Sequence, residues 1–180
     1  MAVYLERKGY HYSPMTVHKY RNTELELRSI VRPQKPDYKH GEPHNVFENQ
    51  LKQDFTADGG NQKWCTDFTY LFLKNHDVRY NCSIIDLYDR SVVVSITDRT
   101  ITSDLAIRTL QKALDDQAKI KGKLIQHSDQ GSQYTSRAFT EFWESVKVTQ
   151  SMSKAGYPYD NAPMERYFNT VKNECTNLHE

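Results

Sequence analysis

Three carboxylates in this chain stand where a carboxylate is costly. Asp67 lies inside the aromatic and β-branched run Trp64-Cys65-Thr66-Asp67-Phe68-Thr69-Tyr70. Asp129 closes the apolar run Leu124-Ile125-Gln126-His127-Ser128, just before Gln130-Gly131. Glu165 follows Asp160-Asn161-Ala162-Pro163, a helix start, and thirty-five residues separate it from Asp129. Unpaired charge on elements that look buried costs several kcal/mol unless a cation offsets it. A pair of divalent metal ions does so most directly, and metal pairs held by carboxylates perform phosphoryl transfer. The chemistry implied is the cutting or joining of nucleic-acid strands.

Each acid alone has an ordinary explanation. Asp67 could be hydrogen-bonded to backbone or paired with a basic side chain. Asp129 could be a turn residue, although strand ends are also where α/β sheets place ligand groups. Glu165 could simply complement a helix dipole. The conjunction is more telling. If the strands carrying Asp67 and Asp129 pair, and the Glu165 helix leans over their ends, three carboxylates at ~4–6 Å repel one another unless cations intervene. Two Mg²⁺ or Mn²⁺ ions ~3.5–4 Å apart would activate an attacking water or 3′-hydroxyl and stabilise the leaving oxygen, without a protein general base. Asp86, flanked by Ile84, Ile85 and Leu87, shows the same pattern but reads as structural beside the turn Asp89-Arg90. Asp98, Asp104, Asp115 and Asp116 read as solvated.

The elements that must position these acids follow from periodicity. Strands are expected over Lys63 to Phe72, Tyr80 to Leu87 and Ser91 to Thr97, spaced closely enough to form an antiparallel meander. Leu105, Ile107, Leu110 and Leu114 predict a helix between Ile101 and Lys119, capped by Thr102 or Ser103 and stopped by Gly122. Leu124 to Ser128 is a fourth strand, Ser136 to Lys147 a helix, Val148 to Met152 a fifth strand and Asn161 to Cys175 the last helix. The order βββαβαβα predicts an α/β (α+β) fold, a mixed five-stranded sheet with helices packed on it.

Ahead of this domain, Val3 to Gly9 and the segment from Ser13-Pro14 read as two short helices around a Gly turn, compatible with the remnant of a helix-turn-helix or with a plain helical arm. Arg28 to His44 reads as a basic linker, and Asn45 to Asp58 as a short helix and connector. The domain division expected is thus a helical arm and linker over 1–44, a connector over 45–60 and the main domain over 61–180.

Bulk composition narrows the classes. A net charge of +1 makes any nucleic-acid surface a local patch. Mean hydropathy of −0.80 describes a polar chain, and no apolar run approaches the ~20 residues that span a bilayer. Cys65, Cys82 and Cys175 are odd in number and widely spaced, which argues against a disulfide framework and for a reducing cytoplasm. The N-terminus is not a signal peptide.

Three motifs then carry a resemblance: Trp64 to Tyr70, His127-Ser128-Asp129-Gln130-Gly131-Ser132-Gln133-Tyr134, and Tyr159-Asp160-Asn161-Ala162-Pro163-Met164-Glu165-Arg166. The chain resembles, from about Asn45 to Cys175, the DDE transposases encoded by the second reading frame of bacterial insertion sequences. These are relatives of retroviral integrases with a ribonuclease-H-like core. The resemblance implies that Asp67, Asp129 and Glu165 are the catalytic, metal-binding acids, with Mg²⁺ (or Mn²⁺) as cofactor and two ions expected with DNA bound. It implies DNA strand cleavage and strand transfer, action as a homo-oligomer on element ends and target DNA, and a bacterial cytoplasmic location at the nucleoid. Lys172, on the Glu165 face of the last helix, and Lys154, Arg166 and Asn169 are the DNA-binding residues it suggests. The segment Ser151 to Tyr159, with Gly156, resembles the family's mobile active-site loop. Family members extend further at both ends, so the chain resembles a fragment. A zinc module is not evident around His11, His18, His40 and His44. A DNA-binding remnant without activity, or another ribonuclease-H-like nuclease, are the alternative readings.

Overall fold

A computed structural model of the chain describes residues 2–25, 45–117, 120 and 122–176. The chain divides into two compact units, residues 1–39 and 40–180. In the first, α1 (Ala2–Arg7) stops at a turn in which Gly9 takes φ +86°, a conformation suited to glycine. Helix α2 (Pro14–Thr23) starts where Ser13 accepts the Thr16 N–H at 3.0 Å and Pro14 occupies the first turn. The basic linker expected over 28–44 lies outside the described residues.

The second unit is built on a five-stranded sheet. Strands β1 (Lys63–Phe72), β2 (Val78–Asp86) and β3 (Val92–Asp98) form an antiparallel meander, while β4 (Leu124–Ser128) and β5 (Val148–Met152) add in parallel, giving the order β3-β2-β1-β4-β5. Helix α3 (Ser103–Asp116) crosses from β3 to β4, α4 (Arg137–Ser145) from β4 to β5, and α5 (Ala162–Val171) follows β5. The βββαβαβα order expected from periodicity is the observed one.

Thr102 accepts the Leu105 N–H and Ser136 that of Phe139, so both crossover helices begin at side-chain caps. The buried faces of α3 (Leu105, Ala106, Thr109, Leu110, Ala113) and of α4 (Phe139, Thr140, Trp143) recur at helical spacing. They cover one side of the sheet, packing on Trp64, Ile84, Val94, Leu124 and Met152. Helix α5 covers the other side with Met164 and Phe168 against Leu51, Cys65, Ile85 and Leu87. Burial pushes the Cys82 thiol up to about 11 and the Cys65 thiol higher still, so both are inert packing groups.

Several boundaries differ from expectation. The helix expected between Asn45 and Asp58 does not form, because Lys52 and Gln53 both take positive φ (48° and 65°), which no helix accommodates. Instead the segment is irregular and anchored by buried Leu51. Helix α3 ends at Asp116 rather than Lys119, α4 is shorter by a residue or two at each end, and α5 passes at Lys172–Thr176 into a π-helical turn.

Candidate active site

Asp67 lies on β1 two residues after Cys65, so strand alternation aims it at the α5 side of the sheet. Parallel pairing sets Cys65 opposite His127 on β4; continued by two residues, the same register brings Asp67 level with Asp129, just past the end of β4. Both aspartates are half-buried. The Asp67 carboxylate accepts its neighbour's amide, Phe68 N–H, at 2.7 Å, and Asp129 accepts Gly131 N–H at 2.9 Å. A Cβ on Gly131 would stand 2.9 Å from the Asp129 Oδ1 and 3.1 Å from the Gln133 side chain, so these side chains would have to shift to admit one. Glu165 is exposed in the first turn of α5.

Tyr134 packs between the sheet and α4 with its hydroxyl 3.0 Å from Thr66 Oγ1. Burial raises its pKa well above the ordinary value, and the charges of Cys82, Asp67 and Asp129 push in the same direction. The buried phenol therefore stays an O–H.

An all-oxygen donor set suits a hard divalent cation. Asp67 within β1 and Asp129 just past the end of β4 offer such donors. The third carboxylate is not gathered with them: among the described residues, no three acid, His or Cys side chains form a group that could hold a metal ion. Asp86 is buried and accepts the amides of Asn61 (2.6 Å) and Tyr88 (2.9 Å), which fixes the β2–β3 turn in keeping with a structural role. Asp98 and Asp104 both pair with Arg108, and Asp116 pairs with Lys112, on the surface.

Of the residues expected to touch DNA, Lys154, Arg166 and Asn169 are exposed and Lys172 is half-buried at the end of α5. The Lys154 ammonium lies 4.8 Å from the centre of the Tyr157 ring. Arg166 and Arg90 line a cleft beside α5 together with Phe55, Pro163 and Tyr167, and Arg90 donates to Phe55 O at 2.9 Å.

Sequence reasoning missed the polar network that frames these groups. His127 is fully buried, its Nδ1 2.7 Å from Ser151 Oγ and its Nε2 3.0 Å from Ser153 Oγ. Burial lowers its pKa to about 4, against a smaller opposing pull from Asp160. Ser151 also accepts the Gln50 N–H at 2.8 Å, which ties the connector to β5. Asp160 is buried as well; burial pushes its carboxyl up, but hydrogen bonds from Lys154 N–H and the Gln53 and Asn49 amides outweigh this and hold it below the usual value. The available signal was the density of polar residues in the motifs around Asp129 and Glu165, beyond the acids themselves.

The comparisons with known proteins agree with this fold. The family described as Integrase core domain matches residues 57–158. The transposase InsF of insertion sequence IS3A from Escherichia coli K12 is 38% identical over 136 residues, covering 76% of this chain and 46% of the relative. The putative transposase InsK of element IS150 from the same strain is 32% identical over 183 residues, covering 98% of this chain and 61% of the relative. The chain thus spans roughly half the length of the curated relatives it matches. Among solved structures, a simian T-cell lymphotropic virus intasome in complex with PP2A regulatory subunit B56 gamma matches with TM-score 0.60 at 19% identity, over 96% of this chain and 58% of that one. The HTLV-2 integrase catalytic core domain in complex with magnesium matches with TM-score 0.51 at 22% identity, over 63% of this chain and 68% of that one. The sheet order and the family match across more than half of the sequence lead to one assignment: the chain belongs to the integrase core domain family, with a ribonuclease-H-like fold.

Proposed function

We propose that this chain is the catalytic core of a DNA transposase, cutting DNA strands and transferring them by a 3′-hydroxyl with divalent metal ions. The observation that carries the reading is the β1–β4 register, which, continued two residues past Cys65 and His127, would set Asp67 level with Asp129. Its support is the family membership and the transposase relatives. Asp67 and Asp129 would hold Mg²⁺ or Mn²⁺, with Glu165 as the third carboxylate. Two such ions, when bound, activate the attacking oxygen and stabilise the leaving one. Gly131 keeps space open against the Asp129 carboxylate. Lys154, Arg166, Asn169 and Lys172 would contact the DNA backbone, and Arg90 adds a second guanidinium beside Arg166. The substrate would be insertion-element ends and target DNA, the working form a homo-oligomer and the location the bacterial cytoplasm. Among the described residues no helix is long and apolar enough to cross a membrane.

The test is cleavage and joining of labelled oligonucleotides in Mg²⁺ or Mn²⁺. Asp67→Asn, Asp129→Asn and Glu165→Gln should each reduce turnover ~10³-fold or more while leaving the fold intact. Undiminished turnover in any of the three would remove that residue from the site. DNA binding that weakens with salt but never leads to metal-dependent turnover, even in the unsubstituted chain, would instead mark a binding remnant.

A further inference from the structure

The loop between β5 and α5 is held at both feet by carbonyls next to the two aspartates. Ser153 N–H donates to Ser128 O at 2.8 Å, one residue before Asp129. Asn161 Nδ2 donates to Thr66 O at 3.3 Å, one residue before Asp67. Between these feet the Asp160 carboxylate accepts Lys154 N–H (3.0 Å), Asn49 Nδ2 (3.0 Å) and Gln53 Nε2 (2.8 Å). Among the described residues it forms no salt bridge, so a buried anion is held by neutral donors alone, all of which need an acceptor.

Asn161 breaks a local rule. It stands at the N-cap of α5, where an Asn side chain ordinarily accepts an N–H of the first turn. Here it makes no cap bond; its amide goes to β1, and its Oδ1 is buried without a partner. Turning the amide over would set oxygen against the Thr66 carbonyl, so the strand dictates the orientation. Asn161 ends the 3-10 turn Pro158–Asn161 that runs directly into α5, and its side chain serves the strand rather than the helix.

We propose that Asp160 and Asn161 form a latch that sets the spacing between Asp67 and Glu165. Glu165 comes one helical turn after Asn161, so displacing the latch displaces Glu165 relative to β1. Asp160 fixes the turn from the connector side, and Asn161 fixes it from the strand side. Both are positioning residues that act through Glu165. The inference rests on the proposed function, and its test separates the two.

In the full chain, Asn161→Ala, Asp160→Ala and Asp160→Asn are compared with Val94→Ala, a cavity on the far side of the sheet. Displacement on the ångström scale costs up to ~10²-fold in rate, so Asn161→Ala should slow single-turnover cleavage at saturating DNA by about 10-fold or more. Its affinity for the same oligonucleotide should stay within about 2-fold. Val94→Ala should keep its rate despite a lowered melting temperature. Asp160→Asn should recover most of the rate lost in Asp160→Ala, because exposed Gln53 can turn its amide to accept from the new NH₂. A rate loss in Asn161→Ala no larger than in Val94→Ala, or an Asp160→Asn as slow as Asp160→Ala, overturns the latch. If the unsubstituted chain shows no cleavage, the proposed function fails and hydrogen exchange decides the latch alone. Faster exchange of the Arg166 to Phe168 amides in Asn161→Ala than in Val94→Ala supports it, and equal exchange overturns it.

Discussion

The two faces of the sheet solve different problems with the same strands. On the α3 and α4 side, the Tyr134, Phe139, Trp143 and Phe47 rings meet in successive edge and tilted contacts at 5.3–5.9 Å, over Trp64, Ile84, Val94 and Leu124. On the α5 side, among the described residues, the buried apolar groups are Leu51, Cys65, Ile85, Leu87, Met164 and Phe168. The rest of that side is the hydrogen-bonded set of His127, Ser151, Ser153, Asp160 and Asn161 around the aspartates. One face holds the sheet together through size and shape. The other gives up apolar contact so that polar groups have fixed directions.

The sharpest way to break this comparison is a cavity on the packing face. Leu110 is fully buried on α3, and Leu110→Ala should cost about 2–5 kcal/mol in chemical denaturation. Turnover per folded molecule should stay unchanged, because no group near Asp67 or Asp129 moves. A turnover loss at temperatures where the variant is fully folded would mean that the two faces are coupled.

The packing face was the legible one. Leu105, Leu110 and Phe139, Trp143 announce their helices through spacing, and the Lys63–Phe72, Leu124–Ser128 and Val148–Met152 strands were read with their observed limits. Spacing records which side of a helix is apolar, and the α3 and α4 side depends on little else. The site was legible only as three acids and their motifs. Nothing in the order of residues says that Asp160 accepts from Asn49, 111 positions away, or that Asn161 gives its amide to a strand carbonyl instead of capping its helix. Such bonds depend on tertiary register, which side-chain periodicity does not carry. The connector failed for a related reason: its backbone turns at Lys52 and Gln53, two residue types with no preference for positive φ.

A smaller effect should separate the faces by pH. His127 is held at about 4 in the folded chain, below the ordinary 6.5. The unfolded chain therefore binds the proton first, and the stability that neutral His127 supplies is present above about 6.5 and is lost as pH falls toward about 4. Asp160, held below its usual value, acts in the same direction at still lower pH. The unfolding free energy from chemical denaturation between pH 7 and 4 should fall by up to on the order of 2–3 kcal/mol, the equivalent of that shift. In His127→Gln the fall across this window should be largely absent. A slope that survives in His127→Gln would assign the acid sensitivity to other groups.

The smallest effect, and the one with the opposite sign, lies in a row of polar side chains on the packing face. Trp64, Gln126 and Gln150 are register partners across β1, β4 and β5, so their side chains share the α3 and α4 side. Trp64 Nε1, Gln126 Oε1 and both amide atoms of Gln150 are buried there without partners, whereas both ring nitrogens of His127, one residue away on the other side, are bonded. A buried polar atom that makes no hydrogen bond costs its desolvation and returns nothing. Gln150→Leu removes two such atoms at nearly constant size, so it should raise stability by about 1 kcal/mol. His127→Leu, equally buried, should lower it, because Ser151 and Ser153 would lose their partner. If Gln150→Leu destabilises instead, the packing face also depends on polar bonding, and the difference between the two faces is one of degree.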